Sequence, residues 1–231
     1  MGKIEFDAEK HEYTWEGQKI PSVSDILAPL SAERYGEINP AVLQQAAARG
    51  TAVHEICEAM DYGLDPEIEP GLEGYAQAYS DFLRDYFPKW ELIEQIVYYR
   101  VDGDVYTAPP LFCGTVDRYG TIDEKPAVLD IKTYASLTTD SMISASCQTA
   151  LYRSAIFSEA PIEDLHKVAE TRRYLLHLKK DGNYRLVDLD NFDKERDFDS
   201  AETTWMLRIL RQEIDKVRKG KKGRKNEKAG E

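Results

Sequence analysis

Residues 129–132 alternate apolar and charged side chains, and this alternation limits what the chain can fold into more than any other feature. In Leu129-Asp130-Ile131-Lys132 the apolar pair takes one face of a strand and the charged pair takes the other. A second strand-like stretch, 111–120, precedes it, and the polar run Thr121-Ile122-Asp123-Glu124-Lys125 between them reads as a hairpin turn. A hairpin centred between Asp123 and Glu124 sets Asp117, of Gly114-Thr115-Val116-Asp117, directly opposite Asp130. Opposed residues share a face with their Cβ atoms about 5 Å apart. Asp117, Asp130 and Lys132 then converge on one surface-facing patch, where two carboxylates are unfavourable unless a cation sits between them. Two alternatives stand beside this. Asp-Glu is not a favoured two-residue turn, so the register could slip by one. The charges could also be those of an ordinary exposed strand face.

Composition narrows the class. With 231 residues, 42% hydrophobic and 31% charged, the chain suits one large domain with a core of its own. The segment Met1–Asp7 is charged from the start, and no apolar run reaches membrane-spanning length, so the expectation is a cytoplasmic protein without signal peptide or membrane contact. Cys57, Cys113 and Cys147 are scattered, with no Cys-x-x-Cys pair. They read as reduced, small buried residues rather than a zinc or four-thiolate site. The net charge of −12 is uneven: from Lys216 onward there are eight basic and two acidic residues, which leaves −18 on the first 215. Such a body repels a polyanion at long range, so any contact with nucleic acid must be local.

Along the chain, residues 1–39 read as an N-terminal hairpin and a short helix, the latter from Ser22 to Leu30 with a serine cap and Pro29 near its end. Asn39-Pro40 starts a long helix that Gly63 stops, with Gly50 inside it as a close approach or a break. A helix over 72–87, strands at 91–101, 111–120 and 126–133, and a helix over 141–157 follow. Ile143, Leu151, Ala155 and Ile156 form the apolar stripe of that helix. A hairpin joins 171–179 to 184–189 around Asp181-Gly182-Asn183. The core, 40–190, is thus α/β (α+β), a central mixed sheet flanked by helices in the order αβββαβ. An amphipathic helix at 191–218 and a basic, disordered tail at 219–231 complete the chain.

Other chemistry-bearing residues lie around the strand pair. Gln148 and Tyr152 share a helical face, where an amide and a phenol can hold a phosphate, a base or an attacking water, or simply form a polar flank. His54 and Glu58 share another face, and a lone helical histidine often serves structure alone. Glu94 lies inside the apolar strand Leu92-Ile93-Glu94-Gln95-Ile96-Val97, where a carboxylate must be solvated, paired or bound to metal.

Taken in order, these elements resemble the PD-(D/E)xK nuclease superfamily, in its RecB-like branch with the Gln-x-x-x-Tyr motif. The match runs through Gly50 to His54, Glu94, Gly114 to Asp117, Asp130 to Lys132, and Gln148 to Tyr152, and spans about residues 45–180. Each motif is weak alone; the five in order are specific together. Tyr13-Thr14-Trp15 and Pro21-Ser22-Val23-Ser24-Asp25-Ile26-Leu27 also look like phage-encoded members.

The resemblance implies a restriction-endonuclease-like core and a metal-dependent DNA nuclease, most readily an exonuclease working from a DNA end in recombination or repair, in the bacterial host cytoplasm if phage-encoded. A structure-selective endonuclease and a non-catalytic nucleic-acid-binding protein are the alternatives. Carboxylate ligands suit Mg²⁺ or Mn²⁺. The expected metal residues are Asp117, Asp130, Glu94, His54 and the carbonyl of Ile131, with Lys132 orienting the nucleophile or offsetting transition-state charge. Gln148, Tyr152, Arg49 and Arg153 are the expected DNA contacts. Some relatives carry an iron–sulfur cluster with three cysteines near the C-terminus; no cysteine follows Cys147, so none is expected here. No helicase motif is present, so any motor would be a separate protein. A recombinase or annealing protein as partner, and a homo-oligomer, remain open.

Overall fold

The computed structural model describes residues 3–7, 10, 12–35, 38–100, 109–164, 166–191 and 200. The helix expected at 191–218 and the basic tail lie, but for Ser200 and the residues up to 191, outside the described residues. Three short antiparallel strands open the chain: β1 (Ile4–Asp7), β2 (Glu12–Trp15) and β3 (Gln18–Ile20). Helix α1 (Val23–Tyr35) follows, then α2 (Pro40–Asp61) and α3 (Glu73–Tyr86). A five-stranded sheet is built from β4 (Lys89–Tyr99), β5 (Phe112–Ile122), β6 (Lys125–Lys132), β7 (Arg172–Leu178) and β8 (Tyr184–Asp188), in that spatial order. Helix α4 (Thr139–Ile156), a 3₁₀ turn at Ile162–Asp164 and the short α5 (His166–Glu170) connect β6 to β7. That crossover is what lets β6 and β7 run parallel while all other neighbours in the sheet are antiparallel.

The β5–β6 hairpin turns between Asp123 and Glu124, with Ile122 facing Lys125 and Arg118 facing Leu129. Both turn residues have positive φ, 49° and 63°, the twist a two-residue hairpin needs. Two non-glycine residues accept that conformation because the flanking strands fix it on both sides.

Each face of the sheet carries two helices. On one, Val53, Ile56 and Cys57 of α2 and Tyr75, Tyr79 and Phe82 of α3 pack on Leu129, Ile131 and Leu176. On the other, Val23, Ile26 and Leu27 of α1 and Leu151, Tyr152 and Ala155 of α4 pack on Val116 and Val128. The patch that carries Asp117 and Asp130 is therefore no exposed face: Asp117 is 7% and Asp130 1% accessible.

Three local expectations change. Helix α1 runs on through Pro29 to Tyr35, because its inner face packs well enough to outweigh the one backbone bond a proline forfeits. Helix α2 is unbroken at Gly50, where an added Cβ would meet only Thr133 Oγ1, at 4.0 Å. In α4, Ile143 is exposed; the helix is instead buried nearly all round through small residues such as Ala145, Ser146, Thr149 and Ala150.

The three cysteines are free and buried. They lie apart, Cys57 under α3, Cys113 against the small sheet and Cys147 under α1. No helix among the described residues is long and apolar enough to cross a membrane.

Candidate metal centre

The strand registers place three acids in one row. Ile93 faces Arg118 and Gln95 faces Val116, which sets Glu94 level with Asp117. The β5–β6 register sets Asp117 level with Asp130, and at this row the pairing of β5 with β6 ends. The strands part here, and the Asp117 side chain fills the gap: its Oδ2 accepts the Ile131 N–H at 2.7 Å. Glu94 has φ of 46°, a left-handed conformation that costs a non-glycine residue on the order of 1–3 kcal/mol. Such strain persists only where surrounding contacts enforce it.

Those contacts come from α2 and β5. His54 Nδ1 donates to Glu94 Oε1 at 3.0 Å, and Arg118 Nη1 donates to the same oxygen at 2.8 Å. The other His54 nitrogen, Nε2, lies 3.1 Å from the Ile131 carbonyl and 3.8 Å from Asp117 Oδ2. Both ring nitrogens thus face acceptors only, as an imidazolium requires. Burial pulls the His54 pKa down, but the Asp117 and Glu94 carboxylates outweigh it and push it up to about 9.

Ligand atoms of His54, Glu94 and Asp117 lie within 4.8 Å of one another, so this group can hold a metal ion. The Ile131 carbonyl adjoins it through His54. Asp130 stands beside the trio rather than in it. Its Oδ1 is ion-paired with Lys132, while its Oδ2 is buried with no hydrogen-bond partner among the described residues. Burial, reinforced by Asp117 and opposed by Lys132, pushes the Asp130 carboxyl up to about 6. A buried carboxylate oxygen without a donor is costly, and a cation would satisfy it. The donor set, one imidazole nitrogen and hard oxygens, fits a divalent cation. Burial lowers the Lys132 pKa, but Asp130 and Asp117 more than offset this, so its ammonium stays charged and cannot serve as a base.

The trio opens into a cleft of about 500 Å³, which Gln148 and Tyr152 also line. They are 3.4 Å apart, amide nitrogen to phenol oxygen. Gly114 leaves Tyr152 its place here: a Cβ on it would sit 2.9 Å from Tyr152 Cε1 and 3.1 Å from Val23 Cγ2, so that a side chain would have to shift. Arg49 precedes the cleft-lining Gly50 on α2, and its Nη2 donates to the Thr133 carbonyl at 3.4 Å. Arg153 does not fit the expectation of a DNA contact. It is buried, with Nη1 on the Thr171 carbonyl at 3.3 Å, and ties α4 to the start of β7.

Sequence reasoning missed Asp61 and Arg118. The Asp61 carboxylate, 1% accessible, accepts from Tyr79 Oη at 2.8 Å, from Trp90 Nε1 at 2.9 Å and from Arg118 Nε. Arg118, fully buried, therefore spans from Asp61 to Glu94 and also donates to the Asp117 carbonyl at 2.6 Å. An aspartate at a helix end and an arginine in a strand carry no local signal of this; only the position of Arg118 next to Asp117 hinted at it. Comparison with known proteins gives no match, either to a protein-family model or to a curated protein.

Proposed function

We propose that this protein is a Mg²⁺- or Mn²⁺-dependent nuclease of restriction-endonuclease-like fold that hydrolyses DNA from an end. The observation that carries this reading is the row of Glu94, Asp117 and Asp130 on three neighbouring strands, the last two of which part at this row, with His54 and Lys132 beside it. A hard divalent cation, when bound, lowers the pKa of water and polarises a phosphoryl oxygen. Glu94, Asp117 and His54 would hold it, with Asp130 Oδ2 and the Ile131 carbonyl as further donors. The charged Lys132 offsets negative charge that develops on the phosphate. Arg118 fixes one oxygen of Glu94 and so aims the other. Gln148 and Tyr152 position the strand along the cleft, and Arg49 meets a phosphate at its edge. The order of motifs along the sequence supports the same reading.

Linear and covalently closed circular DNA, each incubated with Mg²⁺, separate the alternatives. Loss of the linear form alone is the expected result, with EDTA abolishing it and Ca²⁺ supporting binding but little cleavage. Cutting of the circle would make the protein an endonuclease. Binding without cutting of either would make it a binding protein, and full activity after exhaustive chelation would remove the metal mechanism.

A further inference from the structure

Two aromatic side chains, Phe6 and Tyr13, also line the cleft that holds the candidate metal-ligand trio, and nothing in the mechanism above uses them. In the small sheet Phe6 pairs directly with Tyr13, and Ile4 with Trp15, so these four side chains share one face. Most of that face is core: Tyr13, Trp15 and Ile20 pack on Cys113 of β5. At its far end Phe6 overhangs the cleft and is 38% accessible, with its ring centroid 4.6 Å from that of Tyr13. Tyr13 itself is 4% accessible, and its hydroxyl is locked to Thr115 Oγ1 at 2.8 Å. Thr115 precedes Asp117 by two residues on the same strand, which puts the Tyr13 hydroxyl about 7 Å along β5 from the acid row.

We infer that Phe6, backed by Tyr13, is a stacking shelf for one unpaired nucleobase of the strand whose phosphate lies at the metal-ligand trio. This rests on the nuclease reading and names its substrate: a single-stranded end. A cleft of about 500 Å³ is the size of a small-ligand site and has room for a nucleotide with its base unpaired. Base stacking on an aromatic ring is sequence-tolerant, because every base has a π-face, and it works where the surrounding charge does not attract a polyanion. On a chain of net charge −12, a neutral contact of this kind supplies affinity that long-range electrostatics does not. Tyr13 keeps the shelf rigid: a ring fixed by a hydrogen bond and a cross-strand neighbour loses little freedom when a base arrives.

The test is a double-mutant cycle between protein and DNA. Single-stranded oligonucleotides with one abasic site walked along the chain are bound to the full-length protein in Ca²⁺, and Kd is read by fluorescence anisotropy. At one position the missing base should weaken wild type about tenfold. Phe6→Ala should bind the intact strand about tenfold more weakly and show no further loss at that abasic position. Phe6→Leu, which keeps the apolar bulk, should behave like Phe6→Ala, and Phe6→Tyr should restore the abasic penalty; both guard against a folding artefact. An abasic walk that is flat in wild type, or a penalty undiminished in Phe6→Ala and Phe6→Leu, overturns the shelf. If the cycle holds but Mg²⁺ yields no cleavage, the nuclease reading fails and the shelf stands; if wild type does not bind single strands, the shelf falls, and cleavage of linear duplex DNA in Mg²⁺ decides the nuclease reading by itself.

Discussion

Two clusters of acids and bases share Arg118, and they are built on opposite principles. In the Asp61 cluster both carboxylate oxygens are taken, by Tyr79, Trp90 and Arg118, and the side chain is sealed under α3. In the cluster around Asp117 the donors are unevenly shared: among the described residues Asp130 Oδ2 has none, and Glu94 accepts on Oε1 alone. A buried polar group is stable when satisfied and costly when not. The closed cluster thus serves the fold, although Arg118 Nη2 finds no partner among the described residues, while the open one keeps an unmet demand for positive charge that a metal ion could meet. Arg118 joins them, so the rigid cluster sets the geometry of the unsatisfied one.

Substitution should separate the two by readout. Asp117→Asn keeps an oxygen for the Ile131 N–H, so melting should shift by no more than a few degrees, while turnover falls more than about 100-fold; loss of a metal ligand should exceed the 10- to 100-fold cost of an outer-shell partner. Calorimetric metal binding at the wild-type level in this variant would remove Asp117 from the ligand set. Asp61→Ala should do the reverse. It leaves the buried Arg118 charge without its main partner, a loss of about 3–5 kcal/mol of stability by denaturant unfolding. If Asp61→Ala lowered activity while leaving stability intact, the division between the clusters would be wrong.

The open cluster also predicts a pH dependence that extends above neutrality, because it holds a histidine, whereas the closed one holds the Asp61 carboxyl, raised by burial. In metal-free protein His54 titrates near pH 9, above about 6.5 for an unfolded histidine. The folded state holds that proton more tightly, so its stabilisation is complete below about pH 6.5 and is lost as pH rises through about 9. The change is up to about 3 kcal/mol. Asp130, raised to about 6, acts in the same direction at lower pH, because the folded state again binds the extra proton. Melting in EDTA should therefore fall from pH 6 to pH 9, and His54→Gln should flatten the upper part of the slope. An unchanged slope in that variant would mean that His54 is neutral in the metal-free protein.

How far the sequence reveals all this depends on range. The hairpin register was legible because a two-residue turn fixes it, even though Asp123 and Glu124 are poor residues for the conformation they adopt. Helix α2 was legible through Asn39-Pro40, where Asn39 Oδ1 accepts the Ala41 N–H at 2.9 Å. The buried face of α4 was legible only in part: Leu151 and Ala155 of the expected stripe are core, whereas Ile143 is exposed and the small polar Ser146 and Thr149, buried on other sides, give no apolar signal. The burial of the acid patch was invisible, because local spacing does not say which side chains of α1, α2 and α4 close around it. Asp61 and Arg118 are 57 positions apart, and each alone reads as a surface charge. Local spacing thus conveyed which side chains share a face, but not which of them are satisfied once packed.

The smallest effect should come from a change that touches no charge in either cluster. Gly114→Ala would place a methyl group 2.9 Å from the Tyr152 ring and 3.1 Å from Val23 Cγ2, both buried. Overpacking of this kind costs about 1–3 kcal/mol. The strand φ at Gly114 accepts alanine, so the cost arises from contact alone. Tyr152 must yield, because Val23 is held in the α1 core, and its hydroxyl then leaves Gln148. The metal ligands stay in place, since Asp117 is anchored on Ile131 and Glu94 on Arg118. Metal affinity by calorimetry should match wild type while the KM for single-stranded DNA rises several-fold and kcat changes less. A drop in metal affinity instead would show that Tyr152 helps to hold the open cluster together, and that its packing, like that of Arg118, belongs to the metal centre rather than to the strand it positions.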